Sequence, residues 1–314
     1  MDTSDTEPSP IVPQRTLKNA IHCAGTGRRS GARVAMTLRP APPDLGIVFS
    51  RVDLGHRPWI TASWEQAVVN DGVASLVNES GVEIMGIESL MSALCGCGID
   101  NAMIELDGPE VPAMDGSAAP FVFLLECAGR AEQSAPRRAL QVLKAIRVAD
   151  GKRSLALSPA SEFGIDVACA SRCAAIGEQA WAATLDRQSF KREVSRARRF
   201  EFLAAEDEAD ARNARCDNAV TVLGDRLAGD HPLRFENEFA RHQAQSLIGY
   251  LYLTGGPVLA KATARDATRP MMLGLLETLF HSADAWAWRD LSRDAPEPAP
   301  ELSEASPRTA AVGA

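Results

Sequence analysis

Residues 109–121, Pro109-Glu-Val-Pro-Ala-Met-Asp-Gly-Ser-Ala-Ala-Pro-Phe121, decide how the chain is read. Asp115-Gly-Ser followed by Ala-Ala-Pro-Phe is the signature of a turn that enters a capped helix. Asp115 and Ser117 are close enough to suggest chemistry, but no Ser-His-Asp set is evident in the sequence, so the turn is the simpler reading. Upstream, Asn101–Asp107, Gly46–Val52 and Arg33–Arg39 alternate as strands do, and Ile87–Cys95 carries helical spacing. Downstream the helix Ser117–Ala128 runs into Gly129-Arg-Ala-Glu-Gln-Ser-Ala-Pro-Arg-Arg138. That stretch breaks the apolar pattern and predicts a domain boundary near 130–138.

A strand-like run restarts at Leu140–Val148, and Ser154–Ser158 and Phe163–Ala168 predict further strands. Asp186–Val194, Glu236–Leu253 and Met271–Trp288 predict helices. Strands and helices mix in both halves without the strict alternation of a parallel doubly wound sheet, which predicts an α+β fold. The organisation read from this is a first domain at 13–131 and a second at 138–290, with tails at 1–12 and 291–314. Both ends are rich in Pro, Ser, Ala and acid, a composition too poor in apolar side chains to order itself.

At 314 residues the chain is long enough for two cores, and its 46% hydrophobic and 24% charged residues are ordinary for a globular protein. A net charge of −8 argues against non-specific binding to nucleic acid or an anionic membrane face, so an anionic ligand needs a local basic cluster. No apolar run is long enough to span a membrane, and the acidic start is unlike a signal peptide; a cytoplasmic location is expected. Seven cysteines without C-x-x-C spacing read as reduced core thiols, Cys95 and Cys97 included. The run Lys191–Arg199 reads as a solvated basic face with the option of contacting a diphosphate or an acidic partner.

Several motifs occur in one order: Arg15-Thr-Leu-Lys, Thr37-Leu-Arg-Pro-Ala-Pro, Leu76-Val-Asn-Glu, Glu88 with its helix, Gly98-Ile-Asp-Asn, the 109–121 block, Ser195-Arg-Ala-Arg and Arg234-Phe-Glu-Asn-Glu-Phe-Ala-Arg-His. Together, over about Pro13 to Trp288, they resemble the UDP-3-O-acyl-N-acetylglucosamine deacetylase family, the zinc amidase of lipid A synthesis. The resemblance implies two similar two-layer sheet-plus-helix domains packed face to face with zinc between them. It also implies an acyl passage built by an insert in the second domain, here near 168–184, where Cys169–Ala183 is Ala-rich and holds Trp181.

Such an amidase needs an ion held by about three protein groups, a carboxylate to take a proton from water, and a cation for the developing oxyanion. Carried over residue by residue, the resemblance places Glu88 at the carboxylate base and His242 at a retained ligand. Ser89 and Ser246 stand at a ligand His and a ligand Asp. Gln243 replaces a Lys, and Tyr250 replaces an Asp that orients the catalytic imidazole. In Asp266-Ala-Thr-Arg269, Arg269 replaces the acid His; always charged, it can stabilise an anion but not donate a proton. The turn that holds the substrate carbonyl becomes Arg198-Arg199-Phe200, making Arg199, Phe200 and Arg269 the candidates for substrate contact. A Gly-Gly-Ser segment before Asp217 is shortened to Asn213-Ala-Arg-Cys. Glu238, one turn before His242, is the one candidate for rebuilding a site with it and Glu88.

Because these replacements cluster on the catalytic positions, the expectation is a non-catalytic member of the family with no cofactor. Its partner would be acylated UDP-N-acetylglucosamine or a protein of the lipopolysaccharide pathway. The alternative is an active deacetylase with a rebuilt metal site and zinc.

Overall fold

The computed structural model describes residues 11–70, 73–171, 173–203, 219–228 and 232–292. Its architecture is α+β. In the first half a five-stranded sheet runs in the order Ile21–Thr26, Arg33–Pro40, Ala102–Leu106, Ile47–Arg51, Trp59–Thr61. Alternation sets its faces: Val34, Met36 and Leu38 point inward from one strand, and Ala102, Ile104 and Leu106 from its antiparallel neighbour. In the second half a seven-stranded sheet is organised about Val258–Arg265, which pairs in parallel with Arg138–Val142 and Gly164–Ala170 and antiparallel with Arg153–Pro159.

Four helices matter for the site: α1 (Glu88–Cys97), α2 (Ala119–Ala128), α3 (Glu238–Leu251) and α4 (Arg269–His281). Helix α1 is apolar on most of its circumference, burying Leu90, Met91, Ala93, Leu94 and Cys97, so it must be enclosed. It stops at Gly98, whose φ of 66° supplies the left-handed C-terminal turn. Helix α3 lies against it, and the Tyr252 hydroxyl just beyond α3 donates to the Ile99 carbonyl at 2.6 Å. The two backbones touch at Gly249: a Cβ there would sit 2.3 Å from the Glu88 carbonyl oxygen. Only glycine permits that approach, and it fixes the start of α1 over the middle of α3.

Several sequence expectations are corrected. Arg130–Pro136, read as a break, is a strand paired antiparallel with Pro13–Leu17. Its alternate exposed and half-buried residues make a polar strand with no apolar run to betray it. The run Leu140–Val148 is two strands, Arg138–Val142 and Ile146–Asp150, in different positions of the sheet. The helix drawn to Trp288 ends at His281; Trp286–Asp290 is an edge strand on Arg138–Val142. Asp186–Val194 is helical as expected, a short α-helical turn capped by Asp186, Arg187–Ser189, continuing into a π-helical turn, Phe190–Val194. The ends expected as tails at 1–12 and 291–314 include an ordered contact, since Val12 N–H donates to the Leu291 carbonyl at 2.9 Å and Ile11 bridges Ser292. Backbone pairing there replaces the apolar burial that the composition lacks. The rest of both expected tails lies outside the described residues.

Candidate active site

The Gly249 contact brings Glu88 and Ser89, at the first turn of α1, beside His242 and Ser246, one turn apart on α3. Arg269, first residue of α4, closes on them, and the five line one cleft of about 70 Å3. Glu88 Oε1 accepts a hydrogen bond from Arg269 Nε at 3.1 Å. The two terminal nitrogens of that guanidinium have no hydrogen-bond partner among the described residues.

Gln245, which the sequence reading missed, locks the floor. Its Nε2 donates to Ser89 Oγ at 3.1 Å, and its Oε1 accepts from Ala118 N–H at 3.1 Å. One side chain therefore ties α1, α3 and the end of the 109–121 block together. His242 is buried, with Nδ1 lacking a hydrogen-bond partner among the described residues. Burial drives its pKa down to about 3, the charge of Arg269 adds to that, and a hydrogen bond to the Ala197 backbone opposes it. The ring is therefore a neutral imidazole near neutral pH. The Tyr250 hydroxyl is likewise buried without a partner among the described residues, and burial followed by the Glu88 charge raises its pKa.

The rim is cationic. Glu110, also missed, is almost fully buried and accepts from Arg29 N–H, Ser30 N–H and Ser30 Oγ, each at 3.0 Å. It thereby anchors the turn that presents Arg28 to the cleft. Arg199 also lines the cleft, and Arg28 and Arg199 reach Glu201 at 3.1 and 3.2 Å. Phe200 does not line the cleft; its ring meets Phe239 edge-on at 5.0 Å and packs with Cys173, Ile176 and Val222.

Other candidates have structural partners. Glu238, fully buried, accepts from Arg198 N–H, Arg198 Nε and Nη2 and Arg234 N–H, so it is not free to join His242 at an ion. The expected solvated face 191–199 is corrected at Arg198, which is buried on Glu238, while Lys191 pairs with Glu126 at 2.5 Å. Asp115 accepts from Ser117 N–H and Oγ at 3.0 and 2.7 Å and pairs with Arg234 at 2.8 Å, the bonding of a turn. Burial raises the Cys95 and Cys97 thiols to about 12 and about 11, as for inert core thiols. The shortened segment around 213–217 lies outside the described residues.

His242 Nδ1 is a chemically suitable metal donor, but Ser89 and Ser246 offer neutral hydroxyls, and Ser89 Oγ is already engaged by Gln245. Among the described residues no three His, Cys, Asp or Glu side chains gather as a ligand set. These residues do not fit the three-ligand zinc that the resemblance implies. No described helix is long and apolar enough to cross a membrane.

A family model described as UDP-3-O-acyl N-acetylglycosamine deacetylase matches residues 14–281. The UDP-3-O-acyl-N-acetylglucosamine deacetylase of Acidithiobacillus ferrooxidans is 40% identical over 287 residues, covering 89% of this chain and 94% of the relative. Proteins of the same name from Myxococcus xanthus and Vibrio parahaemolyticus are 42% and 36% identical, covering 80% and 92% of this chain and 81% and 96% of theirs. These relatives, all named as an enzyme, overturn the expectation of a non-catalytic protein. The physical reason is that the replacements remove donors for a metal and leave a carboxylate and a cation in the cleft.

Proposed function

The chain belongs to the UDP-3-O-acyl-N-acetylglucosamine deacetylase family, and on that premise we propose that it binds the acylated UDP-sugar in the cleft and removes its acetyl group without depending on zinc. The reading rests on one observation above the others: Glu88 and Arg269 stand 3.1 Å apart beside neutral His242, with the terminal donors of Arg269 unused among the described residues.

Glu88 takes a proton from a water whose oxygen bonds to the acetamide carbonyl carbon. Arg269 Nε keeps the carboxylate aligned while a terminal nitrogen faces the oxyanion that forms. When the carbon–nitrogen bond breaks, the proton held on Glu88 passes to the sugar nitrogen, giving acetate and a free amine. His242, uncharged, packs beside the pair without adding a second positive charge to that of Arg269. Arg28 and Arg199 on the rim suit the diphosphate of the ligand, which a chain of net charge −8 must hold locally. The strand pair Gly164–Ala170 and Glu178–Thr184, with Trp181 buried, spans the segment near 168–184 and is the candidate wall for the acyl chain. In this reading residues 13–131 and 138–290 act as two domains about the ligand, and the protein works in the cytoplasm.

Purified protein incubated with acylated UDP-N-acetylglucosamine, with its metal content measured on the same sample, tests the proposal. Acetate release that survives exhaustive chelation is expected. No acetate, or turnover that returns only when zinc is restored, contradicts it.

A further inference from the structure

A larger cavity, of about 230 Å3, lies at the opposite end of α1 from the cleft. Nine residues separate Glu88 from Cys97, about 14 Å at 1.5 Å per residue, so the two sites share helices but not side chains. Arg15, Arg130, Arg137 and Arg187 ring this cavity, in a chain whose net charge is −8. Its other wall is apolar, with Phe163, Phe190, Ile248 and Leu251.

The four charges are only partly answered. Arg137 pairs with Asp100 at 2.8 Å, Arg187 reaches Glu126 at 3.5 Å, and Arg130 donates to the Cys97 carbonyl at 3.4 Å. Asp186, on the cavity lining, spends its carboxylate on Ser189. The Arg15 guanidinium has neither a hydrogen bond nor an ion pair among the described residues. The crowding is felt at Arg130, whose pKa is lowered first by desolvation and then by Arg187, Arg15 and Arg137. Fork-shaped donors converging beside an apolar wall match a ligand with a charged head and a greasy body.

We infer that this cavity is a second binding site, for a small amphiphilic anion whose carboxylate or phosphate head meets the arginines and whose short acyl or aryl body lies on the apolar wall. Such a ligand would touch both the first half, through Arg15 and Arg130, and the second, through Phe163 and Ile248. It would also brace α1 and α3, the helices that carry Glu88 and His242. The inference does not depend on deacetylation, because its readout is binding.

Calorimetric titration of the full chain with octanoate, octyl phosphate and octanol tests it. Saturable binding of octanoate or octyl phosphate is expected, the tighter of the two naming the head, with octanol weaker. The exposed double substitution Arg130→Glu with Arg187→Glu is expected to weaken binding by about tenfold or more, and Arg130→Gln with Arg187→Gln by less. No saturable binding of either anion, octanol binding as tightly as they do, or affinity unchanged in both double variants would overturn the inference.

Discussion

Two Arg–Glu pairs flank the same helix face, and their difference separates structure from chemistry. Glu238 has no exposure and accepts four hydrogen bonds, two of them from backbone N–H groups. Glu88 is 16% exposed and, among the described residues, accepts one, from an Arg269 that is itself 39% exposed. A carboxylate with every lone pair occupied holds the chain in place. One with open lone pairs at a cleft is available to a substrate or a water.

The comparison breaks most visibly at the saturated pair. Arg198→Ala leaves the Glu238 carboxylate buried and short of its charge partner, and is expected to destabilise the fold by about 3–5 kcal/mol, read by denaturant unfolding. A loss comparable to that of an exposed pair would show that Glu238 is not held as described. Next comes the contact that positions the other carboxylate. Gly249→Ala would drive a Cβ into the Glu88 carbonyl at 2.3 Å, and about 1–3 kcal/mol of destabilisation is expected, together with a fall in acetate release as α1 shifts. An unchanged rate would mean that the start of α1 tolerates displacement.

The most gradual effect is in pH dependence, spread over several pH units. With its pKa down at about 3 in the fold, His242 binds its proton more readily unfolded, where the ordinary value is about 6.5. Stability from this residue is full above about pH 6.5 and is lost as pH falls towards 3, by up to about 1.4 kcal/mol per pH unit. His242→Gln should flatten the decline between those limits when unfolding is followed at successive pH values. An identical slope would place the titration elsewhere.

What the sequence revealed was local. Asp115 and Ser117 bond within two residues, so the turn at the heart of the 109–121 block was readable from composition alone. Glu88, His242 and Arg269 were found by motif, and the fold brings them to one cleft. Glu110 and Gln245 were invisible because their partners lie 81 and 156 residues away, and neither type of side chain announces such a bond. The strand Arg130–Pro136 was hidden for the same reason: its identity depends on pairing with Pro13–Leu17, not on an apolar pattern of its own. Arg199 and Phe200 are neighbours in sequence, yet only Arg199 faces the cleft, since successive residues of an extended segment point to opposite sides.

The most direct test of the distinction between the two carboxylates is Glu88→Gln, assayed for acetate release and unfolded in denaturant on the same preparation. A fall in rate of about 100- to 10,000-fold is expected, with stability changed by less than about 1 kcal/mol, because a single hydrogen bond at the edge of a solvent-open cleft is lost but a base is removed. Retained activity, or a stability loss like that of Arg198→Ala, would contradict the account.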